Sequence, residues 1–150
     1  MKHFNRTLTF DFGASNTKVY ENGRVVFDEP TVVAHWPNGA ASIGRKALIY
    51  YSRYCEDKSI SNCELIKPII NGYVGNYDAF ETYVKGVVKI LVRLPWLCLR
   101  TVIIIIPDDL VGDDNASACD RAFFEPFRKM GVKNIRTIHK SYAEYLGINK

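Results

Sequence analysis

Residues 7–11, 18–20 and 24–28 either alternate between polar and apolar side chains or form short apolar runs. Both patterns are typical of β-strands. Asn22 and Gly23 separate the last two segments, and Asn-Gly between strand-like runs is a strong hairpin signal. The pattern therefore predicts three antiparallel strands at the start of the chain.

Beyond these strands, apolar residues recur at helical spacing in several segments. The predicted helices cover about 42–54, 76–91, 115–130 and 141–146. Further strands are predicted at 31–34, 65–70, 101–106 and 134–138, with 65–70 at a sheet edge because it contains Pro68. Ser42 is the expected N-cap of the first helix, and Pro126 should kink or shorten the third. This order predicts an α/β fold with a mixed five-stranded sheet and flanking helices.

Composition restricts the function classes only mildly. The 150 residues suit one domain, and the net charge of +4 without a Lys/Arg block gives no reason to expect a nucleic-acid partner. The four cysteines lack the spacing of a metal site, which predicts reduced thiols in a cytoplasmic protein. No secretory signal is recognised at the N-terminus.

The apolar run 87–107 is interrupted by Lys89, Arg93, Pro95 and Arg100, so we expect a helix end, a loop and a buried strand there.

The segment from Asp11 to Lys18 carries the clearest candidate chemistry. It is the turn between the first two predicted strands, and its side chains and backbone N–H groups suit a phosphate. Asp11 could hold Mg²⁺ through water, since this cation prefers oxygen and retains its waters. An ordinary hairpin turn explains the same residue types equally well. The candidate cofactor-binding residues are Asp11, Gly13, Ala14, Ser15, Asn16, Thr17 and Lys18.

Several short segments in one order resemble a known family. They are DFGASNT at 11–17, EPTVVA at 29–34, IG at 43–44, KP at 67–68, GYV at 72–74, IIIIP at 103–107 and MGV at 130–132. Together they resemble the first half of the actin, chaperone and sugar-kinase ATPase superfamily, which has a ribonuclease H-like fold, and most of all the bacterial actin homologue MreB. The similarity covers nearly the whole chain.

The resemblance implies a division of the chain and a place for a nucleotide. Residues 1–31 and 74–150 would form a large subdomain, with a small subdomain inserted at about 32–73. In this family ATP and Mg²⁺ lie between two halves, and the second phosphate loop and adenosine pocket belong to the second half. Those motifs do not occur in these 150 residues, so we expect an incomplete or vestigial site with no nucleotide bound to the isolated chain. Lys18 resembles the phosphate-contacting lysine of actin, whereas MreB proteins have an apolar residue there.

Two acidic residues are candidates for a catalytic role. In MreB relatives an acid near the start of the helix after the IIIIP-type strand serves hydrolysis, and by the resemblance its position falls on Cys119. Asp114 and Asp120 are nearby candidates that could substitute for it. Acidic residues at a helix start are also favoured by the helix dipole, so these two have an ordinary structural explanation. We therefore do not expect the chain to be a self-sufficient ATPase.

A second candidate site lies between the second helix and the strand at 101–106. It is an apolar loop flanked by Arg93 and Arg100, and its apolar members are Leu94, Trp96, Leu97 and Leu99. A tryptophan beside basic residues suits a membrane interface, and MreB proteins have a membrane-inserting loop at this place. A partner surface, or side chains folded back onto the core, are the alternatives.

Three functions fit these observations. The first is an MreB-like, rod shape-determining cytoskeletal protein or filament-associated assembly factor, which binds itself or a full-length actin-like protein. The second is an ATP-binding protein whose site is completed by self-association. The third is a peripheral module at the inner face of the cytoplasmic membrane, independent of nucleotide. A nuclease of the ribonuclease H kind is disfavoured, because only Asp11 lies suitably on a strand and two metals need several carboxylates.

Overall fold

The computed structural model describes residues 5–56, 63–107 and 116–147. Its strands are β1 (Arg6–Phe12), β2 (Asn16–Glu21), β3 (Arg24–Pro30), β4 (Val33–His35), β5 (Ala41–Ile43), β6 (Glu64–Ile66), β7 (Ile69–Ile70), β8 (Tyr73–Val74), β9 (Leu99–Ile106) and β10 (Asn134–His139). Its helices are α1 (Gly44–Glu56), α2 (Tyr77–Leu91), α3 (Pro95–Cys98), α4 (Ala116–Lys129) and α5 (Lys140–Tyr145). Within these ranges no helix has the length and apolar character needed to span a bilayer.

The predicted five-stranded sheet is confirmed, in the order β10-β9-β1-β2-β3. β1, β9 and β10 run parallel, whereas β2 and β3 are antiparallel to their neighbours. On one face, Phe10 of β1 lies beside Val19 of β2 and Ile104 of β9. We call this side the helix-covered face, because α2 and α4 pack there and enclose the main core. The other side, the α5 face, carries alternate residues such as Thr9 and Asp11 and is covered by α5 among the described elements.

Residues 32–73, predicted to form a small subdomain, contain a sheet of their own with the strand order β5-β4-β6. α1 packs on this sheet and shares a second, smaller core with it. The predicted role of Ser42 is wrong, because Ser42 pairs with Ala34 inside β5. The carboxylate of Glu29 instead accepts a hydrogen bond from the N–H of Arg45 at 3.2 Å, at the N-terminus of α1.

Two proline-containing segments differ from their predictions. The strand expected at 65–70 is divided at Pro68 into β6 and β7, and β7 forms a two-stranded hairpin with β8. Pro126 does not shorten α4, which continues to Lys129. Pro126 removes one helical hydrogen bond, to the carbonyl of Ala122, while the neighbouring Phe127 is fully buried in the main core. Tertiary packing therefore outweighs the local preference.

Candidate functional site

The predicted phosphate loop is a tight turn between β1 and β2. The N–H of Gly13 donates to the carbonyl oxygen of Asn16 at 2.9 Å. A Cβ atom at Gly13 would lie 2.5 Å from that same oxygen, so the turn needs glycine at this position. Ala14 and Ser15 form the exposed tip. The tip lies at the carboxyl end of β1, where open α/β sheets commonly bind ligands.

Two side chains expected to contact phosphate are engaged within the protein. The Nδ2 of Asn16 donates to Oδ1 of Asp28 on β3 at 2.6 Å. The hydroxyls of Thr17 and Thr31 hydrogen-bond each other at 2.7 Å, and both residues are fully buried. Thr17 therefore presents its side chain to the interior, so only its backbone is near the loop surface.

Two charged residues of the loop, Asp11 and Lys18, form a row with Asp28 of β3 across three strands. Asp11 lies opposite Lys18, and Lys18 lies opposite Asp28. Lys18 is exposed, whereas Asp11 is partly buried. Burial raises the pKa of Tyr20 on the same face, and the carboxylates of Asp11 and Asp28 raise it further. The row thus has alternating charges, with a carboxylate on each side of one ammonium group.

A buried polar cluster joins the loop to the entrance of the small-subdomain region. The carbonyl of Ser15 accepts from the N–H of Thr31 at 3.0 Å. The hydroxyl of Tyr83 on α2 donates to the carbonyl of Pro30 at 3.0 Å. Burial raises the pKa of Tyr83 to about 12, although the hydroxyls of Thr17 and Thr31 act in the opposite direction. These neighbouring hydrogen bonds therefore hold together the loop, residues 30–31 and helix α2.

Of the two candidate catalytic acids, only Asp120 lies among the described residues. Asp114 lies outside the described residues. Asp120 lies near the start of α4, and its Oδ1 is enclosed without a hydrogen-bond partner among the described residues. One turn later, Phe123 stacks on Phe12 with ring centroids 6.1 Å apart, so the start of α4 approaches the end of β1. Within the described ranges, no three His, Cys, Asp or Glu side chains form a group that could hold a metal ion.

The apolar loop contains the short helix α3, which the sequence did not predict. Trp96 is 67% exposed and Leu97 is 50% exposed, so the alternative in which both fold back onto the core is wrong. Leu94 is also exposed, whereas Leu99 is buried at the start of β9. Three of the four predicted residues therefore form one apolar surface.

The sequence pattern did not indicate that Asp28, Thr31 and Tyr83 lie around the loop. Asp28 and Thr31 lie 12 and 14 residues from their loop partners. The Tyr83 hydroxyl reaches a carbonyl 53 residues away in sequence. Helical spacing predicted a buried Tyr83 but not its polar partner. The Glu-Pro-Thr segment was a usable signal, because it follows the hairpin directly and contains Thr31.

A protein-family model matches nearly the whole chain. The MreB/Mbl protein family model matches residues 5–149. The chain belongs to the MreB/Mbl family. Two similar structures are MreB5 of Spiroplasma citri bound to ADP, with a TM-score of 0.71 and 17% identity, and the same protein bound to AMPPNP, with a TM-score of 0.69 and 19% identity. At these identities the likeness shows the actin-like fold alone.

The structural matches cover a much larger share of this chain than of the matched chains. Each structural match covers 97% of this MreB/Mbl chain, but only 41% and 42% of the two matched chains. The chain therefore spans less than half the length of these relatives. No curated protein sequence matches it.

Proposed function

We propose that this MreB/Mbl-family chain is an actin-like assembly protein, which acts in the cytoskeleton as a filament subunit or a filament-associated factor in cell-shape control. The observation that carries the proposal is an uncovered aromatic surface on α5. Tyr145 is 85% exposed and stacks on Tyr142, and Leu146 is exposed beside them. Contiguous exposed apolar patches commonly mark protein contacts. The expected partner is a second copy or a full-length actin-like protein.

Sedimentation velocity tests this assembly role. Wild type should form concentration-dependent oligomers, and Tyr142→Ser/Tyr145→Ser should reduce the association constant at least tenfold. Ile90→Ser is the matched control, because Ile90 is an exposed apolar residue on a different helix, α2. Wild type that remains monomeric alone and with a full-length MreB would contradict the proposal. So would equal effects of the α5 and Ile90 substitutions.

The phosphate loop is proposed to be a reduced form of the family's nucleotide site. The bonds from Asn16 to Asp28 and from Thr17 to Thr31 support this view, because they use side chains that would otherwise serve phosphate. The alternative is a working ATP site completed by self-association. The exposed Ser15 and Lys18 support that alternative, as do the relatives described as bound to ADP and AMPPNP.

Calorimetric titration with Mg·ATP separates these two views. A reduced site predicts no measurable heat at millimolar nucleotide. A saturating isotherm that Asp11→Ala abolishes would favour the ATP-binding alternative. Asp78→Ala is the charge-matched control, because Asp78 lies in the first turn of α2 rather than in the phosphate loop.

A second candidate role is peripheral contact with the inner face of the cytoplasmic membrane. It is favoured by the exposure of Trp96 and Leu97 on α3 beside the exposed cations of Arg93 and Arg100. Tryptophan and basic residues together suit an anionic bilayer surface. Wild type should float with liposomes, and Trp96→Ser/Leu97→Ser should not. Equal flotation of this variant and wild type would exclude the α3 contact.

A further inference from the structure

An apolar cleft of about 400 Å³ lies between the end of α2 and α3. Its volume falls within the range of roughly 300–1,000 Å³ that is usual for small-molecule sites. The aliphatic side chains come from both elements and from the residues between them. The lining residues are Arg6, Leu91, Val92, Arg93, Leu94, Leu97 and Cys98.

One of the two arginines in this cleft is already paired. The guanidinium of Arg6 donates to both carboxylate oxygens of Glu21, at 2.7 and 2.9 Å. It also donates to the carbonyl of Leu91 at 2.6 Å. These bonds satisfy its charge within the protein. Arg93 is exposed and forms no ion pair with any described residue, so it is the cation that the cleft offers to a ligand.

Further basic residues belong to the elements around the cleft. Lys89 lies in the last turn of α2, and Arg100 and Lys133 line a second cleft that shares Leu97 with this one. All three are exposed, and none forms an ion pair within 5–56, 63–107 or 116–147. This second cleft, of about 180 Å³, also borders α3 through Trp96 and Leu97. An anionic ligand that enters beside α3 therefore meets a favourable field from several directions.

We propose that the α2–α3 cleft binds one acyl chain of an anionic membrane phospholipid, whose phosphate lies against Arg93. This inference rests on the proposed membrane contact of α3 and names its ligand. Apart from the two guanidinium groups, the lining side chains are aliphatic or a thiol. A peptide would leave its amide groups without partners there, which is costly, whereas an acyl chain has no polar groups to desolvate. The cleft chemistry therefore favours lipid over a protein partner.

The thiol of Cys98 reports on the cleft directly. Cys98 lines it and is partly buried, and Cys63, also partly buried, lies in the small-subdomain region. Alkylation of each cysteine is followed by peptide mass spectrometry in the presence of water-soluble dihexanoyl phosphatidylglycerol, kept monomeric so that no bilayer forms. At a ligand concentration of about twice Kd, Cys98 alkylation should slow about threefold, because only the unliganded fraction reacts. Cys63 should react at an unchanged rate, and glycerol phosphate, which has no acyl chain, should protect neither cysteine.

Three variants sharpen this test. Leu94→Trp fills the cleft while it keeps the loop apolar, so liposome flotation should persist and lipid protection of Cys98 should disappear. Arg93→Gln should weaken protection at least fivefold. Lys46→Gln removes the same charge from an exposed position on α1 and should have no effect.

The outcomes separate the cleft from the membrane contact. Flotation that depends on Trp96, with no Cys98 protection by the soluble lipid, overturns the lipid cleft and leaves the membrane role standing. Cys98 protection without flotation supports the cleft and overturns the membrane role. Equal protection in wild type and Leu94→Trp also overturns the cleft.

Discussion

At the scale of single residues, the Tyr83 hydroxyl connects α2 with Pro30, whose neighbour Thr31 bonds the predicted phosphate loop. It donates to the Pro30 carbonyl, and the Tyr83 side chain is buried. Tyr83→Phe removes the donor and leaves that carbonyl unsatisfied, so it should lower the free energy of unfolding by about 1–2 kcal/mol. Urea denaturation measures the change. Tyr145→Phe, on the exposed α5 surface, should change it by less than about 0.5 kcal/mol.

The same hydroxyl predicts how stability depends on alkaline pH. The pKa of Tyr83 is about 12 in the folded protein, against about 10 in an unfolded chain. Above pH 10 the unfolded state loses this proton first, so stability falls as pH rises from 10 to 12. The difference corresponds to roughly 2–3 kcal/mol that is fully present below pH 10. Urea unfolding of wild type at several pH values should show a steeper loss than Tyr83→Phe, and identical slopes would contradict the assignment.

At the scale of elements, the Arg6–Glu21 pair connects the first hairpin with the end of α2. Both side chains are four-fifths buried, and Arg6 also binds the carbonyl of Leu91. Glu21→Gln leaves the guanidinium without its anionic partner and should lower the free energy of unfolding by about 1–3 kcal/mol. Glu125→Gln disrupts the exposed pair with Arg128 and should cost less than about 0.5 kcal/mol. Equal losses in urea denaturation would show that burial does not distinguish the pairs.

At the scale of the whole molecule, the two cores differ in size. The smaller core contains Val32, Ala34 and Ala47 as its buried residues among those described, with Trp36 packed at its side. Such a small core should open at lower denaturant than the five-stranded sheet. In Trp96→Phe, the fluorescence of Trp36 should therefore change at lower urea than the far-UV circular dichroism. Coincident transitions would show instead that both parts unfold as one unit.

Local patterns predicted most elements correctly. The Asn-Gly hairpin, the strand at 101–106 and the buried positions Phe80 and Val84 of α2 are all confirmed. These features depend on turn chemistry and side-chain periodicity, which are local properties. β5, the β7–β8 hairpin and α3 were missed because each has two to four residues, too few for a period to emerge.

The sequence located the candidate loop, but it did not show which of the loop's side chains face outward and which bond within the protein. The residue types from Asp11 to Lys18 predict phosphate ligands, and the loop joins β1 and β2. Whether each side chain faces a ligand depends on strand pairing. The register of β2 with β3 places Asn16 within reach of Asp28, and the return of the chain after Pro30 brings Thr31 to Thr17.

The sequence by itself determined the class of fold and located the two candidate segments, and its short motifs in one order carry the family resemblance. Those conclusions follow from residue type and spacing, which are properties of the chain before it folds. Only the tertiary structure decided that Thr17 points inward, that α5 exposes its tyrosines and that an apolar cleft lies between α2 and α3. The physical reason is that burial and hydrogen-bond partners depend on contacts between residues distant in the chain, and no local pattern contains that information.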